Sequence, residues 1–157
     1  MPITNLLGVD PGKMTGISYV RVPDNKSEIE VELLAELDLA ATVQKVDEIL
    51  GWYAPGDLTI LMERFTVTAA SIKKSFQPDS LWVIGAVKAC MVLHGHDPSS
   101  MVMQAPSAAK GIASNDMLRD TGLWLKGSQG HAQDAGRHVL LYLLTHGWRP
   151  GSVLDAL

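Results

Sequence analysis

Residues 5–10 form an apolar run stopped by Pro11-Gly12, the pattern of a buried strand. Residues 15–22 and 28–37 follow as two more strand-like runs with turn residues between them, which predicts an antiparallel meander. Residues 42–53 instead place Val43, Val46, Ile49 and Leu50 at helical spacing, and residues 58–63 are a second apolar run that ends in a charge. A helix followed by a strand predicts a parallel crossover back beside the first strand. Pro78 suits the first turn of a long apolar helix over residues 78–94, residues 100–104 supply a short fifth strand, and residues 131–146 read as the last helix. The order βββαβαβα predicts an α/β fold: a mixed five-stranded sheet, three strands in an antiparallel meander and the others parallel, with helices on both faces.

A chain of 157 residues, 46% hydrophobic and 19% charged, is expected to form one domain over residues 1–157, with enough apolar surface for a packed core. The Gly/Pro clusters at 23–26, 54–57 and 95–99 are short enough to be turns rather than linkers. Apolar stretches such as 139–144 fall far short of the roughly 20 residues of a membrane span, and the first 20 residues lack a basic region followed by an apolar one. A soluble, unsecreted, cytoplasmic protein is therefore expected, with no membrane partner. The single cysteine, Cys90, lies in an apolar run and reads as core filling, so no disulfide or cysteine-based zinc site is available.

Two distant segments share one design. Residues 5–10 and 58–63 are apolar strands that each end in a carboxylate, Asp10 and Glu63. As parallel neighbours about 4.8 Å apart, they would set these acids side by side at the carboxyl edge, where open sheets bind ligands. At about 4 Å and an effective dielectric of about 20 the repulsion is on the order of 4 kcal/mol, so the pair must share a proton, find a cation or hold a metal. Hard oxygen donors of this kind favour magnesium or manganese. Glu63 could alternatively meet a basic side chain such as Arg64. His131 and Asp134, spaced i,i+3, share one face near the start of the last helix and can reach the same pocket; alone, Asp134 would merely complement the helix dipole.

The segment Gly8-Val9-Asp10-Pro11-Gly12-Lys13-Met14-Thr15-Gly16 fits neither common phosphate motif. Only three residues separate Gly8 from Gly12, Met14 stands where a Walker loop has Ser or Thr, and a strand rather than a helix follows. A tight turn that brings backbone near a phosphate and aims Asp10 outward is the expected role of these glycines.

Leu7-Gly8-Val9-Asp10-Pro11-Gly12 with Thr15-Gly16, then Leu61-Met62-Glu63, then His131-Ala132-Gln133-Asp134-Ala135 resemble the catalytic motifs of RuvC-type Holliday-junction resolvases, of the ribonuclease H-like superfamily. The resemblance spans nearly the whole chain in order. It implies a homodimer that grips branched DNA and makes paired nicks with two Mg2+ or Mn2+ ions per active site. Asp10 would bridge the ions, Glu63 and Asp134 would complete their coordination, and His131 would tune metal or water. Lys110 would contact phosphate, and because the stretch Ser114-Asn115-Asp116-Met117 holds no lysine, it would do so alone. Two metals roughly 3.5 to 4 Å apart can activate water and neutralise charge at phosphorus.

The net charge of −4 opposes binding to a polyanion, yet its distribution is uneven. Residues 20–60 hold three Lys/Arg against nine Asp/Glu, whereas residues 64–137 hold eight against five, enough for one cationic face. Candidate DNA contacts are Lys13, Arg64 and Phe65 beside the acidic motifs, with Lys73, Lys74 and Phe76 in a loop-like stretch, where the cations would meet phosphates and Phe76 an unpaired base. The apolar sides of helix 78–94 suit either a dimer face or a fully covered central helix. His94 and His96 lack further ligands at zinc spacing, Met101 and Met103 read as core, and Trp52, Trp82, Trp124 and Trp148 mostly as packing. Alternatives to a junction resolvase are a nuclease of the same fold acting on flaps, forks or RNA–DNA hybrids, and a junction-binding module without catalysis. An actin-like ATPase would need at least twice this length.

Overall fold

The computed structural model describes residues 4–23, 28–66, 69 and 78–150. Strands β1 (Thr4–Asp10), β2 (Thr15–Val22) and β3 (Glu30–Leu37) form the antiparallel meander, with Asp10 opposite Gly16 and Gly16 opposite Glu36. β4 (Thr59–Glu63) lies parallel to β1, and β5 (Val102–Gln104) parallel to β4, giving the sheet order β3-β2-β1-β4-β5. This is the mixed five-stranded α/β arrangement that the hydrophobic pattern predicts.

Strand alternation sends side chains to two separate cores. Leu7, Val9, Ile17, Ile60 and Met62 pack against Val46, Ile49 and Leu50 of α1 (Leu39–Gly51) and Val83, Val87 and Met91 of α2 (Asp79–Leu93). Leu6, Val20, Val22 and Leu61 pack on the other face against Val139, Leu140 and Leu143 of the C-terminal helix over His131–Thr145. Each such side chain contributes about 1.5–3 kcal/mol by leaving water. Cys90, Met101 and Met103 belong to the first core, as expected. No helix among the described residues is long and apolar enough to cross a membrane.

Several local expectations change. Helix α1 starts three residues early because Asp38 caps it, its carboxylate accepting from the Ala41 amide at 2.8 Å. Two short helices, α3 (Pro106–Ile112) and α4 (Asn115–Asp120), occupy a stretch with no predicted element, and the C-terminal helix is therefore α5. They are too short to show an apolar period, but their start signals are present: Pro106 opens α3, and Ser114 Oγ accepts from the Met117 amide at the start of α4. Trp52 and Trp82 are more than half exposed rather than packed, and Leu81, Val92 and Leu93 of α2 are exposed as well.

The glycines of the first motif have a different role from the expected one. A Cβ at Gly8 would sit 2.5 Å from the Ala135 carbonyl oxygen, and one at Gly16 would sit 1.9 Å from that of His131. Both positions are bare so that α5 can lie directly on β1 and β2. Asp10 is accordingly turned beneath α5 and is 6% exposed, not aimed outward.

Candidate active site

Three carboxylates and a histidine meet where β1, β4 and α5 converge. Val9 pairs with Met62 in the parallel register, so Asp10 and Glu63 follow side by side at the carboxyl ends of their strands. Helix α5 starts over this edge, and its first residue, His131, brings Nδ1 to 3.1 Å from Asp10 Oδ2. Asp134, one turn later, faces the same edge. Burial first, and then the negative charge of Glu63, push the Asp10 carboxyl up to about 7; Asp134 adds to the rise, while the hydrogen bond and charge of His131 oppose it. For Asp10, burial and the neighbouring carboxylates outweigh the help from His131.

The start of α5 is fixed from across the sheet. Gly130, at φ 107°, precedes the helix in the left-handed region and offers no capping side chain. Glu36 of β3 fills that role, accepting from the amides of Gln129 at 2.7 Å and His131 at 3.3 Å. Burial opposes its charge, yet hydrogen bonds from Ser128, Gln129 and His131 hold the Glu36 carboxyl below the usual range. A residue at β3 so sets the position of His131 over Asp10.

Each acid already has a partner. Glu63 Oε2 lies 2.9 Å from Nε2 of His138, a fully buried residue of α5, and not on Arg64, which is exposed. Asp134 Oδ1 accepts from Arg137 at 2.8 Å, and its Oδ2 lies 3.8 Å from Lys110 Nζ. Arg137 also donates to the Ala113 carbonyl and to the Asn115 side chain. Lys110, Ser114, Asn115, Asp134 and Arg137 line an open groove of about 500 Å³ beside the acids. Lys110 is thus accompanied by a second cation, Arg137, which supplies the charge that the lysine-free stretch 114–117 lacks.

Asp10, Glu63, His131, Asp134 and Lys110 are all brought to this edge. Lys13, exposed, and Arg64 and Phe65, exposed and half-buried, follow directly on the ends of β1 and β4. Lys73, Lys74 and Phe76 lie outside the described residues. His94 pairs with Asp47 and His96 with the Tyr53 carbonyl, away from any metal-like cluster. Glu36, Gln104, Arg137 and His138 were not singled out from the sequence. For the last two a signal existed, since both lie within two turns of His131 and one turn of Asp134 on the same helix.

The donor set fits a hard divalent cation in one respect and resists it in another. Burial and the charges of Glu63 and Asp134 raise the Asp10 carboxyl, and a cation beside it would favour its ionised form. Yet among the described residues no three His, Cys, Asp or Glu side chains converge on one ion position as they stand. An ion would be held by Asp10 and Glu63, with Asp134 added on turning from Arg137.

No protein-family model and no curated protein sequence matches the chain. Solved structures do. The structure of T. thermophilus RuvC in complex with a Holliday junction substrate superposes with TM-score 0.66 at 16% identity, over 92% of this chain and 96% of that one. The Fowlpox virus resolvase in complex with Holliday junction DNA gives 0.53 at 12% identity, over 91% and 99%, and the same viral resolvase in a second structure gives 0.54 at 14%, over 91% and 99%. The chain therefore has the ribonuclease H-like fold of these resolvases.

Proposed function

We propose that this chain is a metal-dependent endonuclease that resolves Holliday junctions and related branched DNA, a single ribonuclease H-like domain acting as a homodimer. The observation that supports it most is the meeting of Asp10, Glu63 and Asp134 at one sheet edge, where burial first and the neighbouring carboxylates second push the Asp10 carboxyl up to about 7. The three solved structures compared above are of junction resolvases, two of them with junction DNA.

Mg2+ or Mn2+, two ions per site, would supply the Lewis acidity and the activated water for phosphodiester hydrolysis. Asp10 and Glu63 present the carboxylates that hold the cations, and Asp134 completes the set. His131 contacts Asp10 and stands at the opening of the pocket, 37% exposed at its side chain, where it can tune metal or water. Lys110 and Arg137 line the groove in which a phosphate approaches the acids, and Lys13, Arg64 and Phe65 extend that surface. Lys73, Lys74 and Phe76 are proposed as further contacts. The exposed Leu81, Trp82, Val92 and Leu93 of α2 offer apolar surface for the second copy.

One observation favours a second reading, a junction-binding module without cleavage: each acid already has an imidazole, a guanidinium or an ammonium on at least one oxygen. Incubating the protein with a mobile four-way junction, a fork and an RNA–DNA hybrid, each with Mg2+, Mn2+ or chelator, separates the possibilities. Symmetric nicks in the four-way junction that need the metal are expected. Binding without nicks in any metal supports the module, and cleavage confined to the fork or hybrid assigns a different substrate.

A further inference from the structure

Beneath Glu63 lies a buried polar chain that takes no part in the apolar cores. Glu63 and Gln104 are register partners on β4 and β5, so their side chains rise together toward α5. His138 stands over both: its Nε2 is 2.9 Å from Glu63 Oε2 and its Nδ1 is 2.9 Å from Gln104 Oε1. The ring is 0% exposed and Gln104 is 9% exposed. Burying polar side chains such as His138 and Gln104 costs free energy unless each finds a partner, and here each does.

The hydrogen-bond inventory fixes the direction of the chain. A Glu63 carboxylate can only accept, so His138 Nε2 carries the hydrogen. With Gln104 presenting Oε1, Nδ1 carries one too; with the amide turned end for end, Nδ1 accepts from it instead. In both arrangements the donation to Glu63 is the same, and the amide locks the ring plane. Glu63 Oε2 is thereby held, while Oε1 has no hydrogen-bond partner among the described residues.

We infer that His138, oriented by Gln104, is a positioning residue that fixes the Glu63 carboxylate for a divalent cation and presents Oε1 as its ligand atom. The inference rests on the proposed metal site and assigns it a supporting layer on α5 and β5. Histidine and amide groups behind metal-binding carboxylates restrict their rotamers, and losing such support weakens metal affinity by about ten- to a hundredfold. Leucine at 138 would fill the space without donating, whereas the glutamine amide N–H can replace Nε2–H.

Binding of Mn2+ alone to the DNA-free protein, read by the electron paramagnetic resonance of unbound Mn2+, tests this in the wild type and in Asp10→Asn, His138→Leu, His138→Gln and Gln104→Leu. Far-UV circular dichroism accompanies each titration. His138→Leu should weaken Mn2+ by about tenfold or more, Gln104→Leu should weaken it less, and His138→Gln should recover most of the wild-type affinity. If His138→Leu fails to fold, Gln104→Leu and His138→Gln decide: a weakened Gln104→Leu with an intact His138→Gln supports the positioning role. Folded His138 and Gln104 variants that bind Mn2+ like the wild type, while Asp10→Asn has lost it, overturn the inference and leave the metal site standing. A wild type that does not bind Mn2+, or an Asp10→Asn variant that binds as well as wild type, overturns the metal site and the inference with it.

Discussion

The two faces of the sheet solve different problems with the same strands. Under α1 and α2, Leu7, Val9, Ile17, Ile60 and Met62 build a continuous apolar core whose stability comes from the area removed from water. Under α5, the alternate positions Gly8, Asp10, Gly16, Glu63 and Gln104 give up that area so that a helix can approach closely and charged groups can be held out of bulk water. The first face is optimised for packing and the second accepts a cost in stability where the proposed site lies. Function and stability should therefore respond to substitution separately on the two sides.

The largest stability effect expected is electrostatic and confined to the α5 face. The Asp10 carboxyl rises from its ordinary 3.8 to about 7 in the fold, so folding favours its protonated form. That contribution is fully present below about pH 4 and is lost as pH rises through about 7, a span of up to about 4 kcal/mol. Urea unfolding in chelator from pH 4.5 to 8 should show the wild type losing stability relative to Asp10→Asn, which has no charge to bury. Parallel pH profiles for the two proteins would remove Asp10 as the cause.

Close approach of the helix gives the next effect. Gly16→Ala places a methyl group where the His131 carbonyl oxygen now stands, and α5 must shift. A loss of about 3 kcal/mol is expected in urea unfolding, with cleavage falling as His131 leaves Asp10. A variant within about 0.5 kcal/mol of wild type would mean that α5 does not rest on β2 as described. On the opposite face Ile60→Val should cost only about 1 kcal/mol and leave the cleavage rate unchanged, because the methylene lost touches apolar neighbours alone. A change in cleavage there would break the separation of the faces.

The sequence revealed most of what alternation and helical periods encode. Two apolar strands ending in Asp10 and Glu63 implied parallel neighbours, and the i,i+3 pair on the last helix implied a shared edge; these residues do meet. What stayed hidden depends on register across long separations. Glu36 reaches the start of α5 from 95 residues away and Glu63 reaches His138 from 75 residues away, and neither pairing leaves a local mark. Gly8 and Gly16 misled for a related reason: a glycine required by a helix packed above looks, in sequence, the same as one required by a turn. Arg137 escaped because cations beside the acids were expected in the segment before α5, whereas this one lies on α5 itself.

The most direct measurement is cleavage and binding of a four-way junction by Asp10→Asn beside the wild type, at Mg2+ concentrations that saturate the wild type. Cleavage should fall by roughly a thousandfold, as when a charge-stabilising group is removed from a reacting centre, while junction affinity in chelator stays near that of the wild type. Nicking by Asp10→Asn at the wild-type rate would contradict a site in which this buried carboxylate holds the metal.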